Sequence, residues 1–152
     1  MRISICNVRP SFNLKWKIAS LKGIYVLIIR LSKDAAVNIG ALGKITFKKG
    51  LYAYVGSAQK NLEQRVQRHL RKEKKKFWHI DYLLDSDAAR IVKVLHKQAS
   101  KAEECTLAKD LSLTSETVIG FGCSDCHCKS HLFRVGDYRF MSEYMRVLNV
   151  ET

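Results

Sequence analysis

A chain of 152 residues with 47% apolar and 27% charged side chains has the make-up of one globular domain able to bury a core. No apolar run nears the roughly 20 residues of a membrane helix, and the opening M-R-I-S-I-C-N-V-R-P lacks a leader's apolar stretch, so a cytoplasmic protein without membrane contact is expected. Lysines and arginines number 27 against 14 acids, a formal charge of +13; this points to a polyanionic partner, nucleic acid foremost, although a solvated basic surface gives the same count.

Residues 1–20 are polar and mixed, contain the only proline, and read as an N-terminal extension. Leu21–Leu31 is a continuous apolar run rich in β-branched residues, which suits a central strand. Asn38–Gly50 carries Gly40, Gly43 and Gly50 and reads as an inserted hairpin leading to a second strand, Leu51–Val55, ended by Gly56. Asn61 with Gln64 three residues on resembles a capping box opening a helix, Leu62–Lys74, with Leu62, Val66 and Leu70 as its apolar stripe. Phe77–Leu84 reads as a second helix, Arg90–Leu95 as a third strand and Lys101–Leu111 as a helix. Strands at Thr117–Phe121 and 131–135 follow, and the C-terminal segment 136–152 reads as helical over Tyr138–Leu148. The sum is a small α/β or α+β domain over 21–135, with a three-stranded central sheet flanked by helices, an inserted hairpin and a C-terminal extension.

On a helical wheel with Glu104 at 0°, Leu107, Ala108 and Leu111 fall at about 300°, 40° and 340°. Glu104 therefore stands in the apolar face, where a carboxylate needs a cation or a strong donor; a divalent metal, a buried arginine or a structural ion pair would each serve. Arg65 and His69 lie one turn apart on one helix face. The helix start at Asn61 turns backbone N–H groups toward Gly56–Lys60, which includes Ser57, a natural place for an anion. Arg65 has the fork geometry to hold a phosphate, whereas Arg68 and Arg71 read as a solvated face. Tyr52 and Tyr54, two apart, share a sheet face. As strand residues they, like Tyr25, read first as packing groups.

Taken together, G-I-Y at 23–25, Y-V-G at 54–56, Arg65 and a glutamate on a later helix resemble the GIY-YIG nuclease superfamily. Y-V-G-S-A-Q-K-N-L-E-Q-R-V-Q-R-H is similar to a segment of bacterial excision-repair nucleases, and E-C-T-L-A-K to the helix that carries the metal-binding glutamate there. W-H-I-D-Y-L-L and F-G-C-S-D-C-H-C-K-S-H-L-F are similar to small archaeal and bacterial Uri-type endonucleases, also called domain of unknown function 123. The resemblance spans about 21–135. It implies phosphodiester hydrolysis with one Mg²⁺ or Mn²⁺ held by Glu104. Tyr25 would then be the base or orient the attacking water, Tyr54 would bond near the phosphate, and Arg65 would stabilise it. Gly56 would permit close backbone approach, and His69 would support or replace the base. His79 and Asp81 would stand beside the site; the other reading makes Trp78 and Tyr82 core and His79 a strand-end cap. The expected substrate-binding set is Gly56, Ser57, Lys60, Lys72, Lys75 and His79.

Three cysteines fall in C-S-D-C-H-C-K-S-H. Cys123 and Cys126 have zinc-like spacing, which Cys128 and His131 would complete, though so short a loop strains a tetrahedron. Reduced thiols or a disulfide are the competing readings. The expectation is thus a Mg²⁺- or Mn²⁺-dependent, structure-selective endonuclease acting on DNA in preference to RNA, in repair, with a repair protein as partner. The alternative is a non-catalytic nucleic-acid-binding module of the same fold acting with a repair enzyme.

Overall fold

The computed structural model describes residues 21–124 and 126–149; the N-terminal extension lies outside the described residues. Its centre is β1 (Gly23–Leu31), buried on both faces from Gly23 to Ile29 as its apolar run requires, with Arg30 exposed near its end. A hairpin of β2 (Ala35–Asn38) and β3 (Lys44–Phe47) follows, closed by a 3₁₀ turn at Gly40–Leu42 and forming its own two-stranded sheet. Next come β4 (Gly50–Ala58), α1 (Leu62–Leu70), α2 (His79–Leu84), β5 (Ala89–Lys97), α3 (Ala102–Thr114), β6 (Glu116–Thr117), β7 (Leu132–Val135), α4 (Arg139–Ser142) and β8 (Arg146–Val147).

The main sheet has six strands in the order β6-β7-β4-β1-β5-β8, where three were expected, and every pairing among the described residues is antiparallel. The three strands expected at its centre are β4, β1 and β5; the strand expected at 131–135 joins the sheet as β7, the one expected at Thr117–Phe121 survives only as β6, and β8 is an unforeseen two-residue edge piece. Alternation along β1 splits the core in two. Tyr25, Leu27, Ile29 and Leu31 pack with Tyr52 and Tyr54 of β4 against α1, α2 and the hairpin's Ile39 and Phe47. Ile24, Val26 and Ile28 pack with Ala53 and Val55 against Leu107, Ala108 and Leu111 of α3 and Met141 of α4. No helix among the described residues is long and apolar enough to cross a membrane.

Several boundaries move. β4 runs through Gly56 to Ala58, so Gly56 and Ser57 are strand residues and not a loop. α1 stops at Leu70, since Arg71 is extended and the following K-E-K-K-K supplies no apolar stripe to pack. Its start is as expected, with Asn61 Oδ1 accepting the Gln64 N–H at 2.9 Å. Lys74 Nζ donates to the His69 and Arg71 carbonyls, closing the other end. The strand expected at Thr117–Phe121 ends at Thr117, ahead of a turn in which Gly120 takes φ +79°. Tyr138–Leu148 is not one helix: a single turn, α4, gives way to β8, which pairs with Leu95 and His96 of β5.

Candidate active site

β1 and β4 pair with Tyr25 opposite Gly56, placing the phenol over the strand position that has no side chain. A Cβ at Gly56 would stand 2.6 Å from Tyr25 Oη, so only glycine leaves the ring its place. Tyr25 Oη is 2.8 Å from His69 Nε2 on α1, and both residues are 2% exposed. Burial pushes the Tyr25 phenol well above its ordinary pKa, although the charge and hydrogen bond of Arg65 pull it down. Burial pushes His69 down to about 3, with Arg68, Arg65 and Lys74 adding to the fall against Asp81, so the ring is neutral at pH 7. Tyr54 is likewise raised by burial, then by Tyr25.

Arg65, one turn before His69, donates from Nη1 to the Ser57 carbonyl at 3.1 Å, and its guanidinium lies 4.8 Å over the Trp78 ring. Arg68 is no solvated residue. Both its terminal nitrogens bond Asp81, at 2.9 and 3.0 Å, and it too stacks on Trp78. Asp81, 1% exposed, also accepts from the Phe77 and Trp78 N–H groups and so fixes the entry to α2. Burial raises the Asp81 pKa, but these bonds and the Arg68 charge bring it below the usual carboxylate value.

Glu104 reaches the same region from α3 on the opposite face of the sheet. Because β4 continues as a strand, Ser57 points the other way from Gly56, and its Oγ donates to Glu104 Oε1 at 2.7 Å. His131 Nδ1 lies 3.1 Å from Glu104 Oε2. Burial raises the carboxyl's pKa; the His131 and Ser57 hydrogen bonds more than reverse this, leaving Glu104 below its ordinary value and ionised at pH 7. Glu104 is thus half-buried and hydrogen-bonded, as its place on the wheel demanded.

Tyr25, Tyr54, Gly56, Ser57, Arg65, His79 and Glu104 line one cleft of about 360 Å³. Lys101, Trp78, Phe77, Gly122 and Ser124 complete its wall and were not assigned to the site from the sequence, although Trp78, Gly122 and Ser124 fall inside the motifs W-H-I-D-Y-L-L and F-G-C-S-D-C-H-C-K-S-H-L-F. His79 Nδ1 accepts the Gly122 N–H at 2.8 Å, which leaves Nε2 as the ring's hydrogen-bearing atom; burial lowers its pKa. His69 stands behind Tyr25 and does not itself line the cleft. Lys60, Lys72 and Lys75 are exposed and lie outside its lining, Lys72 beside a second hollow with His69 and Lys74.

Behind Glu104 the cysteines gather differently from expectation. Ligand atoms of Cys105, Cys126, Cys128 and His131 all lie within 4.8 Å of one another. Cys123 is not among them; its Sγ lies 3.8 Å from the Lys129 carbonyl oxygen. The neighbour in sequence of Glu104 takes its place, which relieves the strain a four-ligand loop would suffer. Burial opposes charge on His131, yet the hydrogen bonds to Glu104 and Cys126 lift it to about 9. Burial and the neighbouring sulfurs push Cys128 far up.

These elements define a mixed α/β protein whose antiparallel sheet carries a polar cleft at the β1–β4 pair. Residues 24–150 match the family model described as Domain of unknown function DUF123, and the chain belongs to that family. No curated protein and no solved structure matches it.

Proposed function

We propose that the cleft is the active site of a divalent-metal-dependent endonuclease of the GIY-YIG, Uri-type kind, cutting DNA in a repair setting with a repair protein as partner. The convergence of a buried phenol, an arginine and an ionised carboxylate on one cleft carries this reading. The net charge of +13 supports a polyanionic substrate.

In this mechanism Arg65 and Lys101 face the scissile phosphate and offset the charge that grows on its oxygens. Tyr25 orients the attacking water at its Oη, its own O–H being donated to His69 Nε2, which burial keeps unprotonated and so able to accept that hydrogen bond and fix the phenol. The Nε2–H of His79 donates to a phosphate oxygen, and Tyr54 bonds beside it. Glu104 fits a hard cation: it is one anionic oxygen donor on the wall, held in orientation by Ser57 and His131. Mg²⁺ or Mn²⁺ held there would supply Lewis-acid activation of water and phosphate.

The test is a cleavage panel of duplex, flap, junction and single-stranded DNA and RNA with and without Mg²⁺ or Mn²⁺. Metal-dependent nicking by the wild type, lost in Glu104→Gln and Arg65→Ala while binding persists, is expected. Undiminished cleavage in both variants would overturn the site assignment, and binding without cleavage by the wild type would make the protein a non-catalytic module.

A further inference from the structure

We propose that Cys105, Cys126, Cys128 and His131 form a zinc site, separate from the cation site at Glu104, that ties α3 to the start of β7. Three sulfurs and one imidazole nitrogen lie within 4.8 Å of one another, near the spacing of about 3.8 Å set by Zn–S bonds of about 2.3 Å in a tetrahedron. Soft thiolates with one imidazole select zinc over the oxygen-seeking cations expected in the cleft.

The orientation of His131 makes the case more specific. Its Nδ1 faces two acceptors, Glu104 Oε2 at 3.1 Å and the Val55 carbonyl at 3.2 Å, and so carries a hydrogen in either protonation state. Nε2 is therefore the ligating atom, and it is the one turned to the cluster, 3.3 Å from Cys126 Sγ. A carboxylate behind a metal-bound histidine fixes the ring's tautomer and orientation. Ligation displaces the three thiol protons and any proton on Nε2. Lys109 and Lys129 stand beside the sulfurs, where positive charge favours the thiolates.

The ligand pattern is C-x20-C-x-C-x2-H, so it joins a helix to a loop distant in sequence. Cys105 adjoins Glu104 and His131 bonds it, so the zinc holds that carboxylate from two directions. Metal content is read without any cleavage assay, so this proposal and the nuclease reading fail separately.

The full chain, purified without chelator, is expected to hold about one zinc per chain by elemental mass spectrometry. Cys105→Ser should lose it and Cys123→Ser should keep it. Alkylation mapped by mass spectrometry on the wild type, before and after chelation, gives the same answer if Cys105→Ser fails to fold: Cys105, Cys126 and Cys128 should be protected only with metal, and Cys123 should label equally in both. Wild-type protein that carries no zinc and takes up neither zinc nor cobalt would overturn the proposal. So would protection of Cys123 in place of Cys105, or zinc retained by Cys105→Ser and lost from Cys123→Ser.

Discussion

Tyr25 and Gly56 face each other across the β1–β4 pair, and the phenol fills the space a side chain at 56 would need. The Tyr25 ring has no room to yield, being 2% exposed and hydrogen-bonded to His69. Gly56→Ala would put a methyl 2.6 Å from Tyr25 Oη and Cζ. Overpacking of this kind costs about 1–3 kcal/mol, and it would break the Tyr25–His69 bond. Urea denaturation should show that loss, and the proposed cleavage should fall with it. A variant as stable and active as the wild type would sink the account of why glycine stands there.

His69 predicts a pH dependence whose sign follows from its burial. The folded ring has a pKa near 3 against 6.5 when unfolded, so between those values the unfolded chain binds a proton that the folded chain refuses. Stability is therefore full above pH 6.5 and drains as pH falls toward 3. At 1.36 kcal/mol per unit, the upper limit is about 5 kcal/mol. His69→Gln removes the titrating group, so its urea midpoint should fall less steeply than the wild type's between pH 7 and 4. Parallel curves for the two proteins would refute the buried neutral histidine.

The sequence made the centre of this fold legible and its edges obscure, for physical reasons. The apolar stretch Ile24–Ile29 within Leu21–Leu31 announces β1 because a strand buried on both faces must be apolar on both, and Asn61 announces α1 because its side chain caps the helix. β6 and β8 have two residues each, too few to show a period. Glu104 stood out through its place among Leu107, Ala108 and Leu111, yet its partners did not, since Ser57 and His131 reach it only through tertiary packing. Cys105 was hidden for the same reason: local spacing drew attention to Cys123, and the ligand set is assembled from a helix and a loop.

Asp81 offers a test of how the Trp78 wall is held. It is buried and accepts from two Arg68 nitrogens and from the Phe77 and Trp78 amides. Asp81→Ala strands a guanidinium that is only 21% exposed, together with two amides at a helix entry. Breaking such a pair from one side costs about 3–5 kcal/mol. A thermal or urea melt that moves by less than about 1 kcal/mol, the value of an exposed pair, would show that Asp81 does not hold α2.

The basic run after α1 divides into groups with different work, which makes the salt dependence of binding a pointed measurement. Lys74 covers the carbonyls at the end of α1, and Lys76 reaches Asp85 at 3.4 Å. Lys72 and Lys75 are exposed, and among the described residues neither has an ion-pair partner. If, as proposed, nucleic acid enters the cleft and continues along this run, those two lysines are the ones placed to meet its phosphates. Each duplex phosphate contact contributes about 0.9 to the slope of log K against log salt, and each single-strand contact about 0.7. Replacing both lysines by alanine should lower the slope by about 1.8 on duplex and about 1.4 on single strands, with the melting temperature unchanged. Lys74→Ala should instead lower the melting temperature, because its ammonium closes the helix. An unchanged slope in the double variant would place the nucleic acid on another face of the protein.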